Sequence, residues 1–283
     1  MKNYLYGMNN CLGADKLSLK DSVYKYMDYS KKKMYVLEED IDDINSSKTL
    51  KHFDQVKKAN EDVFSYSDKL IKEGYRPILF GGDHSISIGT ISAASNNYED
   101  LNVLWIDAHA DINDENTSPS GNIHGMPLSF LLGYGNEKLA NLGGFNKKIK
   151  TENIMYIGLR SVDEGEKKII EEKNIKAIYY NEVEEMGIDR LIEEINEFFE
   201  GKNLHISFDF DSMDPKIFPA VSTPVPNGFT KEEIEKIFKW VISKNKVVSF
   251  DFVEFNASND IDDISLKYAD KLVDKVYNLL ENE

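Results

Sequence analysis

The chain is poor in cysteine, since Cys11 is the only one among 283 residues and no disulfide can form within the chain. Its first ten residues, Met1 to Asn10, also lack the apolar stretch that a secretory signal peptide carries. Disulfides accumulate in oxidising compartments, and secreted chains carry such signals. Both absences therefore predict a reducing, cytoplasmic location.

Long apolar runs and positive charge are scarce as well. A bilayer-spanning helix needs about 18 apolar residues, whereas the apolar stretches here have the length of single strands, such as Asn102 to Ile106. The chain has only 34 Lys and Arg residues but 50 Asp and Glu residues, which gives a formal net charge of −16. Such a surface repels phosphate backbones and anionic lipids. We therefore expect no nucleic acid and no membrane as a partner.

What is present suits a folded globule. Hydrophobic residues make up 41% of the chain and charged residues 30%, which is a composition typical of soluble domains. We find no internal repeat, low-complexity tract or Pro/Ser-rich linker. Because single α/β domains of about 250 residues are common, we predict one domain over residues 1–283.

Short apolar runs alternate with amphipathic stretches along the chain. Helical spacing recurs from Ile188 to Phe199 and from Leu272 to Leu280. Such alternation predicts an α/β fold with a mostly parallel sheet, covered by helices on both faces, whose ligands bind at the carboxyl ends of the strands. The predicted strands are Pro77 to Phe80, Val103 to Ile106, Ile154 to Ile157, Ala177 to Tyr180, Leu204 to Phe208 and Val247 to Phe252.

Metal-competent side chains follow one of these strands at every second position. They are Asp107, His109 and Asp111, which share one face if the extended backbone continues. Taken alone, this triplet also fits a solvated strand end. A second pair, Asp209 and Asp211, follows another predicted strand, and the combination favours a functional site.

A third strand runs into paired glycines and His84, at the opening of a predicted helix. Together the three segments offer two imidazoles and four carboxylates, which is too much negative charge for a site with a single cation. Oxygen ligands mixed with imidazole suit Mn²⁺ best, with Co²⁺, Fe²⁺ and Zn²⁺ left open. We therefore predict a two-metal site with His84, Asp107, His109, Asp111, Asp209 and Asp211 as ligands.

Two further histidines receive no role in this site. His52 lies in a polar, helical stretch and is predicted to be a surface residue. His205 opens a predicted strand and is predicted to be structural.

The segments Gly81 to Ser85, Trp105 to Asp111 and Ser207 to Pro215 resemble, in order, the three signatures of the ureohydrolase family, which includes arginases and agmatinases. The resemblance extends from about Tyr75 to Asn256. It implies a three-layer α/β/α fold and two Mn²⁺ ions per subunit. It also assigns His84 and Asp111 to one ion and His109 and Asp211 to the other, with Asp107 and Asp209 bridging.

Within this family the loops set the substrate, and here they look closest to those of arginases. Four small polar residues fall where arginases bind the α-carboxylate of the substrate, and two acidic residues fall near its α-amino group. The alternative for each is ordinary loop hydrogen bonding. The four are Asn113, Ser118, Ser120 and Asn122, and the two are Asp163 and Glu166.

The resemblance also implies catalytic roles. Glu254 matches the carboxylate that pairs with the substrate guanidinium, and His124 matches a proton-shuttle or substrate-contact histidine. The implied reaction is attack of a metal-bridging hydroxide on the guanidinium carbon of L-arginine, with Asp111 passing a proton to the departing amine. The products are urea and L-ornithine. The family further suggests a homo-oligomer, either a trimer or a hexamer.

Some features depart from the family pattern and leave alternatives open. The N-terminal region lacks the usual Gly/Pro-rich segment, Ser161 replaces a common Asp, and Ala257 replaces a common Pro. The alternatives are a ureohydrolase acting on agmatine, guanidinobutyrate or formiminoglutamate, or a catalytically silent metal-binding paralogue. The complete ligand set argues against the silent paralogue, because unused buried carboxylates are costly without their cations.

Overall fold

The computed structural model describes residues 1–41 and 47–282, and an eight-stranded sheet lies at the centre of these residues. The strand order is β2-β1-β3-β8-β7-β4-β5-β6, and each neighbouring pair is parallel. The strands are β1 (Lys2–Asn9), β2 (Val36–Glu38), β3 (Tyr75–Phe80), β4 (Asn102–Ile106), β5 (Ile154–Leu159), β6 (Lys176–Tyr179), β7 (Asn203–Asp209) and β8 (Lys246–Val253).

Helices cover both faces of this sheet. One face packs against α1, α8, α9 and α10, and the other packs against α2, α3, α4 and α6. This arrangement confirms the predicted three-layer α/β/α fold. The helices are α1 (Ser22–Ser30), α2 (Phe53–Lys72), α3 (Ser87–Asn97), α4 (Pro127–Leu131), α5 (Glu137–Ala140), α6 (Glu164–Glu172), α7 (Tyr180–Met186), α8 (Ile188–Phe199), α9 (Lys231–Lys244) and α10 (Ile264–Glu281).

The six predicted strands are all present, with one boundary to correct. Tyr180, predicted as the end of a strand, is the first residue of α7. Two further strands, β1 and β2, were not predicted. The sequence of β1 mixes Lys, Asn and Tyr with apolar residues, and β2 has only three residues at the sheet edge, so neither carries the continuous apolar pattern of a central parallel strand.

His52 is not the surface residue that the sequence predicts. It is 5% exposed and precedes the first residue of α2, with a positive φ of 53°. Its Nε2 lies 3.0 Å from Oδ1 of Asp15. The local polar pattern misleads here because a distant turn, at residue 15, folds over this helix terminus and covers the imidazole.

The sheet order brings the predicted site segments together. Strands β3, β8, β7 and β4 are consecutive neighbours at the centre of the sheet. Their carboxyl ends lead into His84, Glu254, Asp209 and Asp107, respectively. Because all four strands are parallel, these ends lie on the same edge, where ligands bind in open α/β sheets.

Candidate metal centre

The segment after β4 is held by its own carboxylate. Oδ1 of Asp107 accepts the main-chain N–H of His109 at 2.7 Å, and Oδ2 accepts the indole N–H of Trp105 at 3.0 Å. Asp111 adopts a positive φ of 50°, an uncommon conformation for a residue with a side chain. The chain therefore turns sharply after Ala110, and Asp111 lies against the same site as Asp107.

The segment after β7 is held in the same way, by a carboxylate that accepts the main-chain N–H two residues later. Oδ1 of Asp209, the last residue of β7, accepts the main-chain N–H of Asp211 at 2.6 Å. The second oxygen of Asp211, Oδ2, accepts the hydroxyl of Thr223 at 2.7 Å. The turn after β3 depends on Gly82, where a Cβ atom would lie 1.8 Å from the carbonyl oxygen of Asn10.

These three turns bring the six predicted ligands together. Nδ1 of His84 lies 3.1 Å from a carboxylate oxygen of each of Asp107, Asp111 and Asp209. Nδ1 of His109 lies 3.1 Å from Oδ2 of Asp211 and 3.5 Å from Oδ1 of Asp107. Within the described residues, two groups have ligand atoms close enough to hold a metal ion, namely His84, Asp107 and Asp111, and Asp107, His109 and Asp211.

The donor set fits a pair of cations. Asp107 belongs to both groups, as a bridging ligand would. Burial and the nearby charges of Asp211 and Asp107 raise the pKa of Asp209 well above its usual range. Burial and the Asp107 charge raise the pKa of Asp111 to about 6. Bound cations reduce the repulsion between buried carboxylates of this kind.

Glu254 projects into the same site from the end of β8. Its φ is +62°, and its main-chain N–H donates to the carbonyl of Gly82 at 2.6 Å. Its Oε1 accepts the main-chain N–H of His84 at 2.9 Å and lies 3.1 Å from Nδ1 of His124. Its Oε2 is buried and finds no hydrogen-bond partner among residues 1–41 and 47–282. One carboxylate oxygen is thus held in place while the other stays available.

His124 lies beside Glu254 on a short 3₁₀ turn. Its main-chain N–H donates to the carbonyl of Gly13 at 3.0 Å, so the N-terminal loop fixes its position. Burial lowers the pKa of His124, but the adjacent Glu254 carboxylate and the charge of Asp111 outweigh this and raise it to about 9. The imidazole is therefore mainly protonated at neutral pH.

An open cavity extends outward from these carboxylates. Most of the residues predicted to bind substrate line it, namely Asn113, Ser118, Ser120, His124, Asp163, Glu166 and Glu254. The predicted ligands His109, Asp111, Asp209 and Asp211 also line this cavity. Asn122 is not part of the lining, and its Nδ2 donates to the carbonyl of Ala14 at 3.0 Å.

Another wall of the cavity is built around the start of α6. Glu166 accepts the main-chain N–H groups of Asp163 and Ile112 at 3.0 and 3.3 Å, one on each oxygen. Burial raises its pKa to about 7. Asn113 donates from Nδ2 to Oδ2 of Asp163 at 3.2 Å. Glu166 therefore holds the wall in shape, while Asn113 and Asp163 present polar groups to the cavity.

Sequence reasoning missed several residues of this site. Thr223 lines the cavity, and its only sequence signal is a position in a Pro-rich loop. The ring of Trp105 stacks on that of His84, with centroids 4.1 Å apart and an angle of 7° between the planes. Oγ of Ser207 lies 2.8 Å from Nε2 of His84. Trp105 and Ser207 each precede a predicted ligand by two residues in an extended strand, so strand alternation was a usable signal.

The parallel sheet, the two ligand groups that share Asp107 and the cavity beside them are features of a metal-dependent hydrolase of the α/β/α type. Comparison with known proteins agrees. Residues 15–278 match the model of the arginase family. The chain is 43% identical to an arginase of Bacillus caldovelox over 209 residues, which are 73% of this chain and 70% of that protein. It is 40% identical to an arginase of Bacillus subtilis strain 168 over 234 residues, 82% and 79% of the two chains.

Solved structures give the same result. The crystal structure of arginase from Bacillus subtilis subsp. subtilis strain 168 superposes with a TM-score of 0.89 and 34% identity, and the match covers 98% of each chain. The chain described here therefore belongs to the arginase family.

Proposed function

We propose that this protein hydrolyses L-arginine to urea and L-ornithine with two Mn²⁺ ions bound per subunit. The observation that carries the proposal is the shared cavity: two ligand groups joined through Asp107 lie beside Glu254, whose Oε2 is buried without a partner in the described part of the chain. A planar guanidinium is the cation that a free carboxylate oxygen at this position suits best.

The protein side of the chemistry follows from the positions of its own groups. When bound, the two cations activate a water molecule as nucleophile and neutralise developing negative charge. His84 and Asp111 would hold one ion, His109 and Asp211 the other, and Asp107 and Asp209 would bridge them. Glu254 would hold the guanidinium beside the candidate metal centre through its free Oε2, and this positioning would lower the entropic part of the barrier.

Proton transfer to the leaving amine requires a titratable group in the cavity. Asp111 and His124 both line the cavity. The pKa of His124 is raised to about 9, so its imidazole carries a proton at neutral pH that it can exchange. We assign Asp111 to proton transfer onto the departing amine, and His124 to proton exchange with solvent in the cavity.

The outer cavity would recognise the amino-acid end of the substrate. Asn113, Ser118 and Ser120 offer donors for the α-carboxylate, and Asp163 with Glu166 offers negative charge near the α-ammonium group. Asn122, the fourth predicted carboxylate contact, would act only through water, because its amide faces Ala14. The similarity to proteins named arginase supports arginine over agmatine or guanidinobutyrate.

Three further expectations belong to this proposal. We propose a single domain, a cytoplasmic location and assembly into trimers or hexamers of the same chain. A lone cysteine, which is buried, suits a reducing compartment. In the residues that the structure covers, no helix is both long and apolar enough to span a bilayer.

The test is urea release by purified, Mn²⁺-loaded protein from L-arginine, with agmatine, guanidinobutyrate and formiminoglutamate assayed in parallel. Formiminoglutamate requires a formamide assay as well, because its hydrolysis releases no urea. We expect rapid urea release from L-arginine and at most a trace from the others. Turnover of another compound in its place would overturn the substrate, and absence of any turnover would favour the silent paralogue.

A further inference from the structure

A buried chain of polar groups extends from His84 into the protein core, away from the cavity. Nε2 of His84 lies 2.8 Å from Oγ of Ser207, and this oxygen lies 3.3 Å from Oγ of Ser87. Ser87 in turn donates its hydroxyl to Oδ2 of Asp251 at 3.0 Å. All four side chains are at most 1% exposed. The chain thus connects a predicted metal ligand to a carboxylate in the core.

The sheet register sets this chain in place. Ser207 on β7 is the direct partner of Trp105 on β4 and of Asp251 on β8, so the three side chains are neighbours on one face. Ser87 is the first residue of α3, which packs over this face. Strand pairing and helix packing therefore decide the contact, and nothing in the local sequence around Asp251 indicates it.

The hydrogen bonds in this chain have a required direction. A carboxylate accepts only, so Ser87 must use its proton toward Asp251. The Ser87 oxygen then accepts from Ser207, which leaves the Ser207 oxygen to accept from Nε2 of His84. With a cation bound, His84 would therefore carry its single proton on Nε2 and direct the lone pair of Nδ1 toward the ion between Asp107, Asp111 and Asp209.

We propose that Asp251 is a positioning residue for the metal centre and that it sets the tautomer of His84 through Ser87 and Ser207. It touches no predicted ligand, and its Oδ2 is surrounded by the hydroxyls of Ser87 and Thr90 and by Nε2 of His205, which lies 3.3 Å away. A buried carboxylate is costly to keep in a core. Its role as the terminal acceptor of the chain accounts for its presence there.

The inference rests on the proposed metal binding. Its consequence is that Asp251 raises the affinity of the protein for only one of the two ions. Partners of this kind typically change metal affinity by about 10- to 100-fold. The affinity for the ion held by His84 should fall when the hydrogen-bond chain is interrupted. The affinity for the ion held by His109 and Asp211 should not change. Among the described residues, neither His109 nor Asp211 makes a hydrogen bond or an ion pair with Ser207, Ser87 or Asp251.

The experiment is a calorimetric titration of Mn²⁺ into metal-free protein for four variants. Ser87→Ala removes a hydroxyl and so interrupts the hydrogen-bond chain between His84 and Asp251. Asp251→Asn replaces the obligate acceptor with an amide that donates as well as accepts, and the double variant combines both changes. Ser92→Ala is the matched control, because Ser92 is buried on α3, the helix that also carries Ser87, and its hydroxyl makes no hydrogen bond among the described residues.

We expect Ser87→Ala and Asp251→Asn each to weaken one of the two binding steps by about 10-fold or more. The double variant should bind Mn²⁺ no more weakly than Ser87→Ala, since Asp251 acts on His84 only through that hydroxyl. Ser92→Ala should match the wild type. Additive losses, equal losses at both ions or an equal loss in Ser92→Ala would overturn the inference.

Two controls keep the outcome decisive. If Asp251→Asn does not fold, Ser87→Ala measured against Ser92→Ala decides alone. A wild-type protein that binds no Mn²⁺ refutes the proposed function, whereas a wild type that binds two ions as tightly as Ser87→Ala refutes only the role of Asp251.

Discussion

The main-chain N–H of His84 donates to Oε1 of Glu254 at 2.9 Å, so a predicted metal ligand and the predicted guanidinium-binding carboxylate are held by a direct hydrogen bond. The two residues are 170 positions apart in sequence. This contact keeps the free Oε2 of Glu254 at a set position relative to the ligand cluster. A substrate bound to Glu254, as proposed, would thereby be aligned with the candidate metal centre.

Replacing Glu254 with Gln should reduce kcat/KM for L-arginine by about 10- to 100-fold. A hydrogen bond to a charged partner contributes about 1.5–3 kcal/mol, and the amide loses the charge. Mn²⁺ content should stay unchanged, because Glu254 belongs to neither ligand group. Steady-state kinetics and metal analysis measure the two quantities. Glu164→Gln, on an exposed side chain at the start of α6, is the control, and unaltered kinetics in Glu254→Gln would contradict its role.

Asp107→Ala should remove both ions, whereas His109→Asn should weaken only one. Asp107 is common to the two ligand groups, but His109 belongs to one of them. The metal content of purified protein, measured by atomic absorption, should fall toward zero in Asp107→Ala, and urea release should fall to background. Asp100→Ala, which changes an exposed carboxylate just before β4, serves as the control. Full activity and metal content in Asp107→Ala would refute the ligand assignment.

Asn113→Ala should discriminate between substrates. The side chain lines the outer cavity and not the metal centre, so its loss should lower kcat/KM for L-arginine by about 10-fold or more through the lost contact with the α-carboxylate. Any residual turnover of agmatine, which has no carboxylate, should not change. A competition assay with L-arginine and agmatine measures the ratio of their kcat/KM values. An equal loss for the two compounds would show that Asn113 only supports the loop.

The contact between His124 and Glu254 should make the stability of the metal-free protein depend on pH. The pKa of His124 is about 9 in the folded protein against 6.5 in the unfolded chain. The folded state therefore binds the proton more tightly, and the stabilisation is complete below about pH 6.5 and disappears as pH rises through about 9. Its size is at most about 3 kcal/mol.

This dependence is measured as the difference in free energy of unfolding between wild type and His124→Asn. The difference should be largest at pH 6 and should shrink steadily toward pH 9.5. Urea is avoided as the denaturant because it is the proposed product, and guanidinium is avoided because it carries the group that Glu254 is proposed to bind. Thermal unfolding is used instead. A difference that is constant across this range would show that His124 is not preferentially protonated in the folded state.

Arg160 should stabilise the loops that carry Asp211 and Thr223. Its guanidinium donates to the main-chain carbonyls of Gly158, Asp211, Ser212, Met213, Val225 and Pro226. Arg160→Met removes a donor from each of these acceptors and should lower the free energy of unfolding by about 2–4 kcal/mol, together with the affinity for Mn²⁺. Arg190→Met, on exposed α8, should change stability by about 0.5 kcal/mol or less. Equal effects of the two changes would contradict this role.

The central part of the fold and the ligand types follow from local sequence. Apolar runs of four to six residues mark the buried parallel strands, because both faces of such strands are covered. Alternation then places Asp107, His109 and Asp111, and likewise Asp209 and Asp211, at strand ends. These patterns are readable because each depends on residues that are neighbours in the chain.

Tertiary structure decided what lies between distant segments. The burial of His52 by Asp15, the contact of Thr223 with Asp211 and the connection from Asp251 to His84 each join residues that no local pattern relates. The sequence alone determined which chemical groups stand at the ends of the strands. Only the strand order, which sets β3, β8, β7 and β4 side by side, decided which of these groups meet, because hydrogen-bonded neighbours in a parallel sheet are remote in sequence.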